Sequence, residues 1–379
     1  MRRTSVVLAA VTAIGAVLLG VPSSPSASAG AAAITGTLRA TASMRVARAA
    51  HSATSLGDGT VLVVGGFGEH ESEGAGAEIF DPRQNRFIDT GQPALPRHSH
   101  TATRLMDGRV LVAGGMSGGG YTASAELYDP AAHTFSPTGR LATARAGHEA
   151  VRLDDGRVLV VGGVGPGWTF LASAEIYDPR TGRFTAAGEM AEPREGHVAV
   201  SLGGGRVLVA GGHRGRGAAI VISRTAEIFE VASGRFAPTG SMAARRHKAD
   251  AAVLDSGRIL VLGGADERDN EGIYTSVEIF DPASGRFEPG PPMRLGRYKH
   301  RGTTVMLSGG RLLLAGGTPA AEEYDPASGA GAVVDSDARL AGQFSAVAGL
   351  PDGRVLVTGG YGEGRGPRTS AWIYAPAGR

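Results

Sequence analysis

Arginine and histidine three residues apart return repeatedly in this chain: Arg48 with His51, Arg97 with His100, Arg145 with His148 and Arg194 with His197. A fifth copy keeps Arg246 but has Ala249 in the histidine place, and a sixth, displaced by two residues, offers Arg297, Lys299 and His300. A guanidinium that stays charged beside an imidazole that titrates near neutrality can make an anion site, or supply a general acid and base. Repetition argues the other way. Catalytic groups are singular, whereas a residue present in most copies of a unit serves the unit, here by hydrogen-bonding backbone at the glycine pair that follows. By the same reasoning Glu78, Glu126, Glu175, Glu227, Glu278 and Glu322 are structural. Each should be met by a repeated arginine, because a carboxylate buried without a partner is costly.

Two further strings hold the residue types that ligate metals. Glu69-His70-Glu71-Ser72-Glu73 alternates them along a loop that fixes no coordination sphere. Asp266-Glu267-Arg268-Asp269-Asn270-Glu271-Gly272 is a loose likeness of a calcium loop, with Arg268 where an oxygen ligand belongs and Val277 at the twelfth position. Neither supports a metal site, and no cofactor is expected. The chain has no cysteine, which excludes disulfides, thiolate nucleophiles and cysteine-ligated metals.

The elements that carry these residues are repeats. A turn, an apolar run and a glycine pair, as in Asp154 to Gly163, occur seven times, with the pairs at Gly65-Gly66, Gly114-Gly115, Gly162-Gly163, Gly211-Gly212, Gly263-Gly264, Gly316-Gly317 and Gly359-Gly360. The run Val158 to Val161 is apolar at every position and too short for a helix, so it reads as a strand buried on both faces. Glycine weakens a strand, and its pairing points to positive φ or a close backbone approach. Around that run lie a strand near Gly147 to Leu153, the Asp155-Gly156 hairpin turn, a third strand Ser173 to Tyr177 stopped by Asp178-Pro179, and a fourth around Phe184. Each unit is therefore a four-stranded antiparallel meander. The last unit has three strands only, and Gly36 to Met44 aligns on Gly234 to Met242, with Leu38 in the slot of Phe236. The expected fold is all-β, a seven-bladed β-propeller whose N-terminal strand closes the last blade, with blades at about 45–92, 93–140, 141–189, 190–241, 242–292, 293–338 and 339–376 plus 36–43. Blade six is the weakest, with Gly331 in the fourth-strand aromatic slot.

The set Arg-x-x-His, Asp-Gly-Arg, Gly-Gly and Tyr/Phe-Asp-Pro followed by an aromatic resembles the kelch repeat of β-propellers, over residues 36 to 376. The fourth-strand aromatic departs from the family pattern in being Phe rather than Trp. The resemblance implies a recognition surface, as in many kelch propellers, or a sugar-modifying enzyme of oxidoreductase or epimerase type using Arg and His of the rim or channel. It extends to the central domain of galactose oxidase, whose copper radical cofactor needs a tyrosine cross-linked to a cysteine. Without cysteine that cofactor cannot form here.

Arg2 and Arg3, an apolar stretch from Val6 to Val21 and Ala27-Ser28-Ala29 read as a signal peptide cleaved near Ala29. The expected product is secreted, with no membrane span. Removing residues 1–29 takes Arg2 and Arg3 from 38 basic residues and nothing from 36 acidic ones, which leaves a formally neutral chain and no field to attract nucleic acid. A monomer is expected. Loops between second and third strands share one rim with the inter-blade loops and carry the variation, so binding is placed there. The ligand-contacting candidates are Tyr121, Trp168, Phe170, Arg214, Arg216, Asp266, Arg268, Tyr274, Tyr361 and Arg365. Aromatic faces beside Arg and Asp suit an extracellular glycan or protein, which makes a binding module the first expectation and the enzyme the alternative.

Overall fold

The computed structural model describes residues 35–68, 76–337, 339–340, 342–362 and 366–377. The leader at 1–29, the string Glu69 to Glu73 and Arg365 lie outside them. Seven four-stranded antiparallel blades form a closed ring, each running outward from its first strand to its fourth, and the short strand Asp335–Ser336 adds a parallel pairing outside the N-terminal strand of blade seven. In blade three these are Glu149–Arg152, Val158–Val161, Ser173–Asp178 and Arg183–Glu189. First strands of successive blades pack side by side around a central channel, and those of blades one and seven meet in the same way. Blade seven takes its outer strand from the other end of the chain: Thr37–Ala40 pairs antiparallel with Ala371–Ala375, and Leu38 stands opposite Tyr374.

The uninterrupted apolar runs are explained by where the core lies. Seven hydrophobic clusters fill the seven gaps between neighbouring blades. A second strand serves two of them, since Leu159 and Val161 face blade four while Val158 and Val160 face blade two. At roughly 1.5 to 3 kcal/mol for each fully buried aliphatic side chain, these gaps are the main hydrophobic bond between blades.

The glycine pair is the polar bond. Gly162 and Gly163 have φ of 66° and 93°, and a Cβ on Gly162 would lie 2.7 Å from the Arg194 carbonyl oxygen of the next blade. Gly163 N–H donates to that same oxygen at 2.8 Å, and its counterparts Gly66, Gly115, Gly212, Gly264, Gly317 and Gly360 donate to Arg97, Arg145, Arg246, Arg297, Gly342 and Arg48. The last of these bonds closes the circle.

Each repeated arginine fastens its own blade. Arg145, wholly buried, donates to the carbonyls of Gly162 and Ser173 at 2.9 Å and to Glu175 at 2.9 Å, and Glu175 in turn accepts from the Ala142 amide at 2.7 Å. The same ion pair joins Arg48 to Glu78, Arg97 to Glu126, Arg194 to Glu227, Arg246 to Glu278 and, more loosely at 3.7 Å, Arg297 to Glu322. Blade seven has neither partner. Gly342 stands at the arginine place, and Trp372, opposite Val357 in the register that Glu175 takes opposite Val160, fills the carboxylate place. Four of the five repeated histidines reach backward to the preceding blade, His51 to Thr358, His100 to Ser52, His148 to Thr101 and His300 to the Leu262 carbonyl, at 2.8 to 3.2 Å.

Blade six corrects the reading of its displaced motif. Arg297 and His300 occupy the regular positions, with Arg297 donating to Gly316 O at 2.7 Å. The two extra residues come after the histidine, as Arg301 and Gly302 in a turn with φ of 69° at Gly302. Buried Asp250 of blade five holds that turn by accepting from the amides of Gly302, Thr303 and Thr304 at 2.9 to 3.0 Å.

Candidate functional site

One residue of every blade lines the mouth of the channel on the variable rim. It lies two places after the arginine position, and all seven have left-handed backbones: Ala50, Ser99, Gly147, Gly196, Lys248, Lys299 and Phe344, with φ between 52° and 64°. The shared conformation lets neighbours bond in a circle that is open between Gly147 and Gly196. Ser99 N–H donates to Ala50 O, Gly147 to Ser99, Lys248 to Gly196, Lys299 to Lys248, Phe344 to Lys299 and Ala50 to Phe344. The ring is regular in backbone and lopsided in side chains. Blades one to four present small residues, blades five and six present ammonium groups, and blade seven presents an aromatic ring, around a cavity of about 180 Å³.

Beside the mouth, on the side of the small residues, lies a groove of about 370 Å³ lined by Tyr121, Trp168, Phe170, Glu195, His213, Arg216, Lys248 and Asp269 among others. Short ribbons in the rim loops place its aromatics. Tyr121 is opposite Met116, and Phe170 is opposite Val164. Trp168 ends a tight turn with φ of 61° and stays half exposed. Its ring meets Tyr121 edge-on, centroids 6.2 Å apart, and Arg216 covers it with the guanidinium carbon 3.5 Å from the centroid. The Tyr121 hydroxyl is enclosed without a hydrogen-bond partner among the described residues.

A polar chain forms the floor between groove and mouth. Tyr298 OH donates to Asp269, and His247 Nε2 lies 3.3 Å from the same carboxylate. His247 Nδ1 is 3.2 Å from His213 Nδ1, which is also 3.2 Å from Glu195. With both rings neutral, His247 donates from Nε2 and accepts at Nδ1, while the single Nδ1–H of His213 is shared between His247 and Glu195. Burial and the neighbouring Lys248 push His247 down to about 3, and burial also lowers His213. Burial opposes ionisation of Asp269, yet the Tyr298 hydrogen bond and the two lysines carry its carboxyl below the ordinary range.

Below the mouth, Arg301 reaches across the channel. It donates to His148 O at 2.7 Å and to Glu149 at 3.1 Å. Burial raises the Glu149 carboxyl to about 7 and also raises Asp250. This arm separates the mouth from a second channel cavity of about 320 Å³ that opens beneath it.

Of the rim candidates, Tyr121, Trp168, Phe170 and Arg216 converge on the groove. Tyr361 stands at the mouth, stacked on Phe344 with centroids 5.7 Å apart. Asp266 and Arg268 are bonded to each other at 2.6 Å, so the loop that resembles a calcium site is closed by its own arginine. Tyr274 braces the repeat, its ring centroid 5.3 Å from the guanidinium carbon of Arg246. Arg214 is exposed beside the groove. Sequence reasoning misses Lys248, Glu195, His213, His247, Tyr298 and Phe344 as contacts, and meets Lys299 and Asp269 only as members of the repeated motif and of the calcium-like loop. A signal for some of them exists in the variable pair inside Arg-x-x-His, which changes to His247-Lys248 and Tyr298-Lys299 in blades five and six.

Residues 97–141 and 144–191, the second and third blades, match the Kelch motif. No curated protein matches the sequence. Among solved structures the fold is similar to that of a "novel fungal alcohol oxidase with catalytic diversity among the AA5 family, in complex with copper", with a TM-score of 0.71 and 16% identity over 91% of this chain and 77% of that one. An identity so low speaks for the fold alone. The residues here do not fit a copper radical centre, since the chain has no cysteine to cross-link to tyrosine. Among the described residues no three of His, Asp and Glu converge as ligands.

Proposed function

Starting from a seven-bladed propeller built of kelch motifs, we propose that this protein is an extracellular recognition module that binds a glycan in the groove beside the channel mouth. Convergence carries the reading. Loops of blades two to five bring Tyr121, Trp168, Arg216, Glu195, Lys248 and Asp269 to one concavity of about 370 Å³, within the usual size of small-ligand sites. Sugars need an apolar ring face and a hydroxyl network together. Trp168 and Phe170 supply the first, and the unpartnered Tyr121 hydroxyl and the carboxylates supply the second. A concave polar groove suits a sugar better than the flatter surface expected of a protein partner. Export rests on the leader at residues 1–29.

The test is binding of the purified protein to a panel of glycans, followed by Trp168→Ala and Tyr121→Phe. Trp168→Ala should abolish saturable binding and Tyr121→Phe should weaken it. Binding unaffected by Trp168→Ala would move the site elsewhere. The hydrogen-bonded chain from Glu195 through His213 and His247 to Asp269 and Tyr298 favours a second reading, a sugar-modifying enzyme, because such a chain can hold and pass a proton beside a bound sugar. Turnover of a bound glycan, lost in Asp269→Asn, would select that reading.

A further inference from the structure

Lys248 and Lys299 carry two half-buried ammonium groups with most of their donors unused. An ammonium has three N–H donors. That of Lys299 makes one long contact, 3.4 Å to the Tyr361 hydroxyl, and that of Lys248 donates no hydrogen bond to any described residue. What surrounds them is aromatic instead. Tyr298 lies 5.8 Å from Lys248 Nζ and 5.1 Å from Lys299 Nζ, and Phe344 and Tyr361 lie 5.6 and 5.9 Å from Lys299 Nζ.

The backbone around them offers little further to an anion. Six of the seven amides of the mouth ring, all but that of Gly196, donate to neighbouring blades, so the lysines are its principal charged donors. The nearby carboxylates attract the lysines through space but hydrogen-bond elsewhere, with Asp269 accepting from Tyr298 and lying beside His247, and Glu195 meeting His213. Charged groups lining mouth and groove are Lys248, Lys299, Arg216 and Arg301, the last paired with Glu149 below the mouth, against Glu195 and Asp269. The imidazoles of His213 and His247 are neutral, which leaves an excess of positive charge facing the cavity. In a recess with low-dielectric walls that excess is focused rather than screened.

Resting on the glycan reading above, we infer that the ligand is an acidic glycan whose anionic substituent, a carboxylate or a sulfate ester, sits in the channel mouth over Lys248 and Lys299 while its sugar ring lies in the groove. The positions make this joint occupancy direct, because Lys248 lines both cavities. Gly147 and Gly196 form the intervening part of the mouth wall. A Cβ at Gly196 would come 2.9 Å from Lys248 Cγ, so glycine there lets the lysine side chain lie against the wall that the two cavities share.

Titration calorimetry with three matched probes tests this: a glucuronate-containing oligosaccharide, its carboxyl-reduced neutral counterpart and a sulfated counterpart. The expected result is at least about ten-fold tighter binding of one or both acidic probes than of the neutral one, the equivalent of about 1.4 kcal/mol, shrinking as salt rises. Which acidic probe prevails identifies the source of the charge. Lys299→Met, and separately Lys248→Met, should bring the acidic-to-neutral ratio close to one, while Lys299→Arg keeps it. Equal binding of acidic and neutral probes, or a ratio untouched in both methionine variants, overturns the inference and leaves the groove reading standing. Failure of all three probes, with the fold intact by circular dichroism, overturns both.

Discussion

At the scale of single residues, the arginines and glutamates that look most like chemistry are fasteners. Arg145 makes three bonds at 2.9 Å that join the second and third strands of its blade, with its guanidinium wholly buried. Removing one member of such a pair leaves the other charge stranded. Arg145→Met is therefore expected to cost about 3–5 kcal/mol, read as a lowered urea midpoint. Arg145→Met combined with Glu175→Met should recover a large part of that loss, because no uncompensated charge then remains. A double variant as unstable as the sum of its parts would show that the pair is not coupled. Lys248 and Lys299 differ in kind, since they occupy left-handed positions that do not require a lysine, as Gly147 and Gly196 show in the equivalent places of other blades.

At the scale of elements, the strand Thr37–Ala40 and the two-residue insert of blade six carry the most information. The first is the latch of the ring. Leu38 is fully buried among Trp372, Tyr374 and Val334, and the Gly36 amide donates to Glu323 of blade six at 2.5 Å. A chain beginning at Thr41 would expose the Ala371–Ala375 edge with its unpaired backbone. It should melt at a lower temperature and associate in a concentration-dependent way on size-exclusion chromatography. A monomer with unchanged melting would mean that blade seven closes without the strand. The insert shows how a repeat acquires individuality: two residues after His300 suffice to put Arg301 across the channel.

At the scale of the whole molecule, the buried histidines tie stability to pH. Burial lowers His51, His197 and His300 from 6.5 to about 3 and takes His100 and His148 well below the same value. An unfolded chain binds those protons near 6.5 and the folded one does not. The stability they confer is full above pH 6.5 and is lost as pH falls toward 3. Glu149 has the opposite sign. With its carboxyl raised from 4.5 to about 7, its contribution is full below 4.5 and is lost as pH rises through 7. Asp250, also raised by burial, acts in the same direction as Glu149. His213 and His247 are lowered as well, and two carboxyls against seven imidazoles leave the histidines in control. Calorimetric melting temperatures should fall steadily as pH drops below about 6.5, with unfolding before the ordinary carboxylate range of about 4 is reached. A flat profile between about pH 6.5 and 5 would rule this out.

The repeat, its four strands, the closing strand at the N-terminus and the structural role of the arginines and glutamates are all local in origin. Each depends on hydrophobic period, turn chemistry and recurrence, which a linear chain displays in full. The groove is legible in part, because Tyr121, Trp168, Phe170 and Arg216 stand in loops that break the repeat. The channel mouth is decided by closure. Lys248 and Lys299, Asp269 with Tyr298, and Arg301 with Glu149 lie far apart along the chain, the last two by 152 positions, and only bending seven similar sheets around one axis makes neighbours of them.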